Sequence, residues 1–89
     1  MLNKNIQIQN KLGLHARAAS VFVKAAQEFI STITVTSEHG SANGKSIMNM
    51  MLLQASIGSD INLSIEGVDE DAAMAALIEL INQKFGEDV

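Results

Sequence analysis

The hydrophobic residues of this sequence alternate with polar residues in some segments and recur at helical spacing in others. Alternation predicts half-buried strands at residues 4–9, 33–36 and 61–66. Turn residues from Glu38 onward lead into a weaker strand at residues 40–43. Together these segments predict a sheet with one buried face, whose inward residues are Ile6, Ile8, Ile33, Val35, Ile61, Leu63 and Ile65.

Helical spacing separates these strands in two places. The first helix is predicted over residues 16–29, where apolar side chains recur on one stripe. Ser46 is predicted as the N-cap of a second, short apolar helix over residues 47–53. The buried stripe of the first helix consists of Ala19, Phe22, Ala26 and Phe29.

A third helix is predicted after Asp69. We expect the Asp69 carboxylate to cap this helix, with Glu70 and Asp71 in a first turn where the helix dipole favours acidic residues. Gly86 lies beyond its predicted end, and residues 86–89 are expected to fray. The side chains that this helix buries are Ala73, Ala76, Leu77, Leu80 and Ile81.

The predicted element order is therefore β-α-β-β-α-β-α. Because each helix and strand has only one apolar side, the compact arrangement is an antiparallel sheet with helices on one face. The predicted fold class is α+β, with a four-stranded antiparallel sheet and three helices. A length of 89 residues allows one hydrophobic core, so residues 1–89 are expected to form a single domain.

Composition restricts the chemistry that this chain can perform. It contains no cysteine, which excludes disulfides, thiolate metal sites, iron–sulfur clusters and a cysteine nucleophile. His15 and His39 lack the ligand spacing of a metal site, and no glycine-rich phosphate loop is present. We therefore expect no metal and no cofactor, and we do not expect a metal-dependent or nucleotide-dependent enzyme.

The net charge of −4 is unevenly distributed, with +3 over residues 1–45 and −7 over residues 46–89. Overall acidity and the absence of Trp and Tyr argue against nucleic-acid binding. No apolar run approaches the roughly 18–20 residues of a membrane span, and the first ten residues lack the apolar core of a secretion signal. We expect a cytoplasmic protein that does not insert into membranes.

The candidate chemistry lies where the first strand segment leads into the first helix. His15 is at this junction, close to backbone N–H groups such as that of Ala16, which have no partner within the helix. The helix dipole makes such an end attractive to anions and favours the neutral imidazole, whose lone pair can attack an electrophile. Arg17 can reach the same space with a donor fork suited to phosphoryl oxygens. This arrangement predicts a phosphoryl acceptor site.

A simpler interpretation of His15 stands beside the chemical one. A lone histidine near a helix start is more often a surface or capping residue than a nucleophile. The nearby Arg17 favours the chemical interpretation. His39 has turn residues around it and no arginine nearby in sequence, so we interpret it as a solvated loop residue.

Two motifs resemble those of the HPr family of histidine-containing phosphocarriers. They are Gly-Leu-His-Ala-Arg at residues 13–17 and Gly-Lys-Ser-Ile-Met at residues 44–48, and the resemblance extends over nearly the whole chain. It implies an open-faced β-sandwich in which His15 accepts a phosphoryl group on Nδ1. The donor would be enzyme I, charged by phosphoenolpyruvate, and the acceptors enzyme IIA components. The protein would then be a monomeric carrier intermediate of sugar transport rather than an independent enzyme.

The sequence departs from the family at Ala18, where the family usually has proline. Proline in a first helical turn loses no hydrogen bond and restricts the unfolded chain, so alanine is expected to forfeit about 0.4–1 kcal/mol of stability. We also expect slightly more motion near His15. Phosphotransfer is expected to survive this difference.

The resemblance also implies a regulatory site and a docking surface. In many relatives the serine that matches Ser46 is phosphorylated by HPr kinase/phosphorylase, which makes this kinase a further expected partner. A phosphate there would add about −1.5 to −2 charges and repel an acidic partner. The second helix is apolar nearly all round, so part of it should remain exposed. The implied docking residues are Arg17, Ser20, Lys24, Ile47, Met48 and Met51.

Two alternative functions remain open at this point. The first is the nitrogen-related branch of the phosphotransferase system, whose carrier has a similar histidine motif and a regulatory output. Residues 44–48 favour the sugar branch by resemblance. The second is a co-regulatory binding module without phosphotransfer, which the presence of both His15 and Arg17 disfavours.

Overall fold

The computed structural model describes residues 1–89 as one sheet of four strands and a set of helices. No helix is both long enough and apolar enough to cross a membrane. In chain order the elements are β1 (Leu2–Gln7), α1 (Ala16–Ala26), β2 (Thr32–Ser37), β3 (Gly40–Asn43), α2 (Ile47–Met51), β4 (Asp60–Glu66), α3 (Glu70–Asn82) and a 3₁₀ turn (Lys84–Gly86).

The strands form an antiparallel sheet in the order β1-β4-β2-β3, which confirms the predicted fold class and element order. Strand β4 alternates as predicted, because it lies inside the sheet with one face toward the helices. On this face Leu63 lies opposite Val35 of β2, and Val35 lies opposite Ala42 of β3. Most of the inward strand residues and of the helical stripes form one buried cluster, within which Phe22 and Leu77 are completely inaccessible. Four residues predicted to be buried are only half-buried: Ile6, Phe29, Ala76 and Leu80.

Several element boundaries differ from the predicted ones. Strand β1 spans Leu2–Gln7 instead of residues 4–9, because Leu2 pairs with Ile65 and extends the ladder toward the chain start. Ile8 is buried beyond this strand. Both α1 and α2 end two or three residues early, since their last amides form tighter i→i−3 hydrogen bonds. An example is Phe29 N, which donates to Ala26 O at 3.2 Å.

The predicted capping role of Asp69 is wrong, although α3 begins directly after this residue. The Asp69 side chain makes no cap hydrogen bond. Its carboxylate instead accepts hydrogen bonds from the backbone amides of Ile30 and Ser31, at 2.9 and 3.0 Å, and from the Ser31 hydroxyl. Asp69 therefore joins the start of α3 to the loop before β2, where two N–H groups need an acceptor.

Removal of the Ser31 hydroxyl tests this link. The Ser31→Ala variant should melt about 5 °C below the parent at neutral pH, because it loses a charge-assisted hydrogen bond of a buried group. Hydrogen bonds from Ser31 and Ile30 lower the pKa of Asp69 in the folded protein. Their stabilising effect is complete above the usual aspartate pKa and is lost as the pH falls through the lowered value.

Thermal unfolding from neutral pH down to about pH 2 measures this effect. The difference between parent and Ser31→Ala should shrink as the pH falls. The control is Ser64→Ala, since Ser64 is half-buried in β4 and its hydroxyl makes no protein hydrogen bond. A Ser31→Ala difference that is independent of pH would show that the hydroxyl does not act through ionised Asp69.

Candidate functional site

The loop between β1 and α1 is fixed by backbone contacts that require glycine at residue 13. Gly13 has a φ of 67°, in the region that side chains disfavour, and a Cβ there would lie 2.5 Å from the carbonyl oxygen of Ala55. The same carbonyl accepts a hydrogen bond from the Leu14 amide at 2.8 Å. The loop is therefore attached to the segment before β4, and it delivers the chain to α1 in one defined position.

His15 occupies the position directly before α1, at the predicted junction. Its backbone is extended, with φ −76° and ψ 177°, and its ring makes no capping hydrogen bond. The side chain is 29% exposed. Its Nε2 atom lies 2.5 Å from Oε2 of Glu87, while Nδ1 makes no hydrogen bond with the protein. The ring therefore presents one free nitrogen to solvent.

The first turn of α1 supplies unpaired donors beside this ring. The first hydrogen bond of the helix runs from Ala19 N to His15 O, at 2.8 Å. The amides of Ala16, Arg17 and Ala18 precede it and have no acceptor in the protein. Ala18 is completely buried, so its N–H, which proline would lack, is not accessible to a ligand. The donors that a ligand can reach are therefore the amides of Ala16 and Arg17, which are exposed.

Arg17 lines the same cleft as His15, together with Leu12 and Glu87. Its side chain is exposed and forms no ion pair with a carboxylate. The structure thus brings Arg17 to the predicted place but leaves its guanidinium free to bind a ligand. The cleft is open and has a volume of about 310 Å³.

The tail does not fray, in contrast to the prediction for residues 86–89. After α3 the backbone turns through positive φ at Lys84, Phe85 and Gly86. The Phe85 side chain is 5% exposed and packs into the core. This turn directs the following residues to the β1–α1 loop, where the Lys11 amide donates to Val89 O at 2.9 Å. A buried anchor and a hydrogen bond therefore order the tail.

Glu87 is held against the site by two residues of the β1–α1 segment. Its Oε1 atom accepts a hydrogen bond from Asn10 Nδ2 at 2.9 Å, and Oε2 contacts the ring of His15. The Asn10 hydrogen bond is the main cause of the lowered pKa of Glu87, with smaller contributions from His15 and from the charge of Arg17. Glu87 is therefore ionised near neutral pH and places a negative charge beside the imidazole.

Sequence reasoning missed Glu87 and Asn10 as members of the site. Neither belongs to the helical pattern that begins at His15, since Glu87 lies 72 residues away and Asn10 precedes the turn at Gly13. The signal in the sequence was Phe85, a large apolar residue that follows the apolar residues of α3. Phe85 is buried in the structure, and burial there is incompatible with a frayed tail.

The residues implied for docking lie on α1 and α2, which pack against each other. Their exposure agrees with the expectation for a partly uncovered second helix: Ile47, Met48 and Met51 are 39%, 80% and 44% exposed. Leu52 is 72% exposed as well, although the resemblance did not imply it as a docking residue. On α1, Arg17 and Lys24 are exposed and Ser20 is half-buried.

Two other residues occupy the environments expected for them. Ser46 is the N-cap of α2, and its hydroxyl accepts a hydrogen bond from Asn49 N at 3.3 Å. This confirms its capping role. His39 is exposed in the turn between β2 and β3, where its Nε2 lies 3.6 Å from Glu38. It is not part of the His15 site.

A histidine with one free ring nitrogen, two accessible unpaired amides and an unpaired arginine form a site suited to a phosphoryl group. A family model described as the PTS HPr component phosphorylation site matches residues 2–83. The chain belongs to the HPr family of phosphocarrier proteins. Membership in this family implies a role in the phosphotransferase system, with enzyme I and enzyme IIA components as partners.

Individual relatives agree with this assignment. An HPr phosphocarrier of Neisseria meningitidis is 51% identical over 87 residues, which cover 98% of each chain. The crystal structure of HPr-C-His from Thermoanaerobacter tengcongensis matches with a TM-score of 0.94 and 47% identity, and covers 100% of both chains. The NPr phosphocarrier of Shewanella violacea is 38% identical and covers 97% of this chain and 94% of its own.

One HPr-family structure bears on oligomeric state. A crystal structure of an HPr dimer, also from T. tengcongensis, matches with a TM-score of 0.78 and 48% identity over 98% of this chain and 100% of that one. The expectation that this HPr-family chain is a monomer therefore stays a prediction.

Proposed function

We propose that this protein accepts a phosphoryl group on Nδ1 of His15 from phosphorylated enzyme I and passes it to enzyme IIA components of the sugar branch. The observation that carries the proposal is the difference between the two ring nitrogens. Nε2 is occupied by Glu87, whereas Nδ1 is free of protein hydrogen bonds. Only one nitrogen is therefore available to attack phosphorus.

The surroundings of Nδ1 suit a transferring phosphoryl group. The unpaired amides at the start of α1 can donate to its oxygens, and the dipole of this helix favours negative charge there. The Arg17 guanidinium lines the cleft and can bind two oxygens at once. A site that holds the group without burying it favours both acceptance and donation.

The proposal is tested by incubating the protein with enzyme I and labelled phosphoenolpyruvate, then adding candidate acceptors. We expect rapid labelling, followed by transfer to an enzyme IIA of a sugar transporter. Faster transfer to a nitrogen-related enzyme IIA would favour the second candidate branch, to which the similarity to an NPr protein also points. No labelling by enzyme I would overturn the proposal.

We further propose that Ile47, Met48 and Met51 form the apolar centre of the docking surface, with Arg17, Ser20 and Lys24 at its edge. Flexible methionine side chains suit a surface that must fit several unrelated partners. A basic edge suits fast and reversible docking to acidic proteins.

Reversal of charge at Lys24 tests this surface. The Lys24→Glu variant should associate with enzyme I about tenfold more slowly at low salt, and its association rate should depend less on salt. Stopped-flow association measures both quantities. The matched control is Lys4→Glu, because Lys4 is exposed on β1 and outside the proposed surface. Equal effects of the two reversals would count against this face.

We also propose that Ser46 is a site of regulatory phosphorylation. Its hydroxyl is half-exposed and directly precedes Ile47 and Met48 of the docking surface. A phosphate at Ser46 would place about −1.5 to −2 charges on that surface and repel an acidic partner.

Treatment with HPr kinase/phosphorylase and ATP, followed by mass mapping, tests the regulatory site. We expect modification at Ser46 and, in the modified protein, about tenfold slower phosphorylation of His15 by enzyme I. The Ser46→Ala variant should resist modification and still accept phosphoryl groups, although it loses about 1 kcal/mol of stability with its N-cap. Modification at another residue, or none, would remove this part of the proposal.

A further inference from the structure

The tail residue Glu87 and the buried residue Asn10 form a chain of hydrogen bonds that ends on the reacting histidine. Asn10 is completely buried, and its Nδ2 atom donates to Gly13 O at 2.7 Å and to Glu87 Oε1 at 2.9 Å. The second carboxylate oxygen of Glu87 contacts Nε2 of His15. The chain therefore connects the glycine turn, the tail and the imidazole.

The orientation of the Asn10 amide follows from its neighbours. Both groups that it contacts are acceptors, a carbonyl and a carboxylate, so the NH₂ group must face them. This leaves Asn10 Oδ1 buried without any partner. An unsatisfied buried acceptor is costly, and its presence indicates that the donor side of this amide is needed at the site.

The backbone of the tail also has an unfavourable conformation where it turns toward the ring. Lys84 and Phe85 have φ values of 58° and 55°, in the left-handed region that residues with a Cβ disfavour. Both residues belong to the turn that carries Glu87 back to His15. Unfavourable backbone at two residues is consistent with a tail whose position is determined by the site.

We infer that Glu87 is a positioning residue for phosphoryl transfer at His15, and that Asn10 acts by holding Glu87. This inference rests on the proposed function. Because ionised Glu87 can only accept, the proton of the neutral ring is kept on Nε2 and the lone pair on Nδ1. The same contact fixes the plane of the ring, so that Nδ1 faces the cleft.

The contact also affects the reaction step. Attack by Nδ1 forms a bond to phosphorus while the bond from phosphorus to its donor atom on enzyme I breaks. The proton on Nε2 stays in place, so the ring gains positive charge as the new bond forms. The Glu87 carboxylate stabilises this charge, in the way that a carboxylate supports the histidine of a hydrolase triad.

Three variants test the inference. Glu87→Gln removes the charge but keeps a side chain of the same size, and Asn10→Ala removes the amide that holds Glu87. The matched control is Glu66→Gln, since Glu66 ends β4, is exposed, makes no hydrogen bond with its side chain and lies outside the cleft that contains His15. Circular dichroism and melting curves establish that each variant is folded.

The first measurement is NMR of the unphosphorylated proteins, with ¹⁵N in the imidazole rings. In the parent and in Glu66→Gln, we expect a slowly exchanging Nε2–H signal for His15 and an unprotonated Nδ1. In Glu87→Gln and Asn10→Ala this signal should exchange faster with water. An unchanged signal in folded Glu87→Gln would overturn the contact itself.

The second measurement is the rate of phosphoryl transfer from enzyme I. Glu87→Gln should lower kcat about 10- to 100-fold with little change in KM, whereas Glu66→Gln should change neither by more than about twofold. The double variant Asn10→Ala, Glu87→Gln should be no slower than Glu87→Gln alone. Equal rates in the parent and Glu87→Gln overturn this inference and leave the proposed function intact. A parent that accepts no phosphoryl group overturns the proposed function instead.

Discussion

The His15→Ala variant is expected to accept no measurable phosphoryl group from enzyme I, with a rate at least about a thousandfold below that of the parent. The reason is that His15 supplies the one imidazole in the cleft, which is otherwise lined by aliphatic, arginine and carboxylate side chains. The side chain is partly exposed, so its removal should leave the fold intact. Labelling with radioactive phosphoenolpyruvate measures the effect.

The second histidine of the chain supplies the matched control. His39 is exposed in the β2–β3 turn, and the one polar contact of its ring is with Glu38. The His39→Ala variant should therefore be labelled at the parental rate. Labelling of His15→Ala at that rate would exclude His15 as the acceptor.

The second large effect is expected at Arg17. The Arg17→Gln variant should lower the rate of phosphoryl transfer about a hundredfold, because it removes a charged donor from the place where phosphoryl oxygens gain negative charge. Arg17 is exposed and forms no ion pair, so the free energy of unfolding of the variant should differ from that of the parent by less than about 0.5 kcal/mol. Single-turnover kinetics with phosphorylated enzyme I separate this effect from docking.

The variant Arg17→Lys distinguishes charge from geometry. Lysine retains the positive charge but lacks the planar fork that binds two oxygens together. We expect its rate to lie between those of the parent and Arg17→Gln. A rate for Arg17→Gln equal to that of the parent would show that the guanidinium has no role in transfer and that the helix amides suffice.

The parts of the fold that sequence predicts well are those in which one element buries one face. Strand β4 lies inside the sheet, so the alternation of Ile61, Leu63 and Ile65 translates directly into burial. The ends of α1 and α2 were predicted less well. Their apolar patterns continue past the last helical residue, because a tightened final turn still points side chains such as Leu53 into the core.

The residues of the candidate site also differ in how well the sequence predicts them. His15 and Arg17 are local to one helix start, so a short motif contains both. Glu87 reaches the site only through the left-handed turn at Lys84 and Phe85, and no periodic pattern encodes such a turn in residues other than glycine. Asp69 illustrates the same limit. Its sequence position suits a helix cap, but its carboxylate accepts hydrogen bonds from the backbone of a loop 38 residues away.

We expect phosphorus to become bonded to Nδ1 of His15 and then to leave again. NMR of the ¹⁵N-labelled protein, phosphorylated by enzyme I and phosphoenolpyruvate, detects this bond through the coupling between ³¹P and the imidazole nitrogen. We expect coupling to Nδ1 of His15 alone, and its disappearance when unphosphorylated enzyme IIA is added. Coupling to Nε2, a phosphate on any other residue, or a signal that persists after enzyme IIA is added would contradict a phosphocarrier role for Nδ1 of His15.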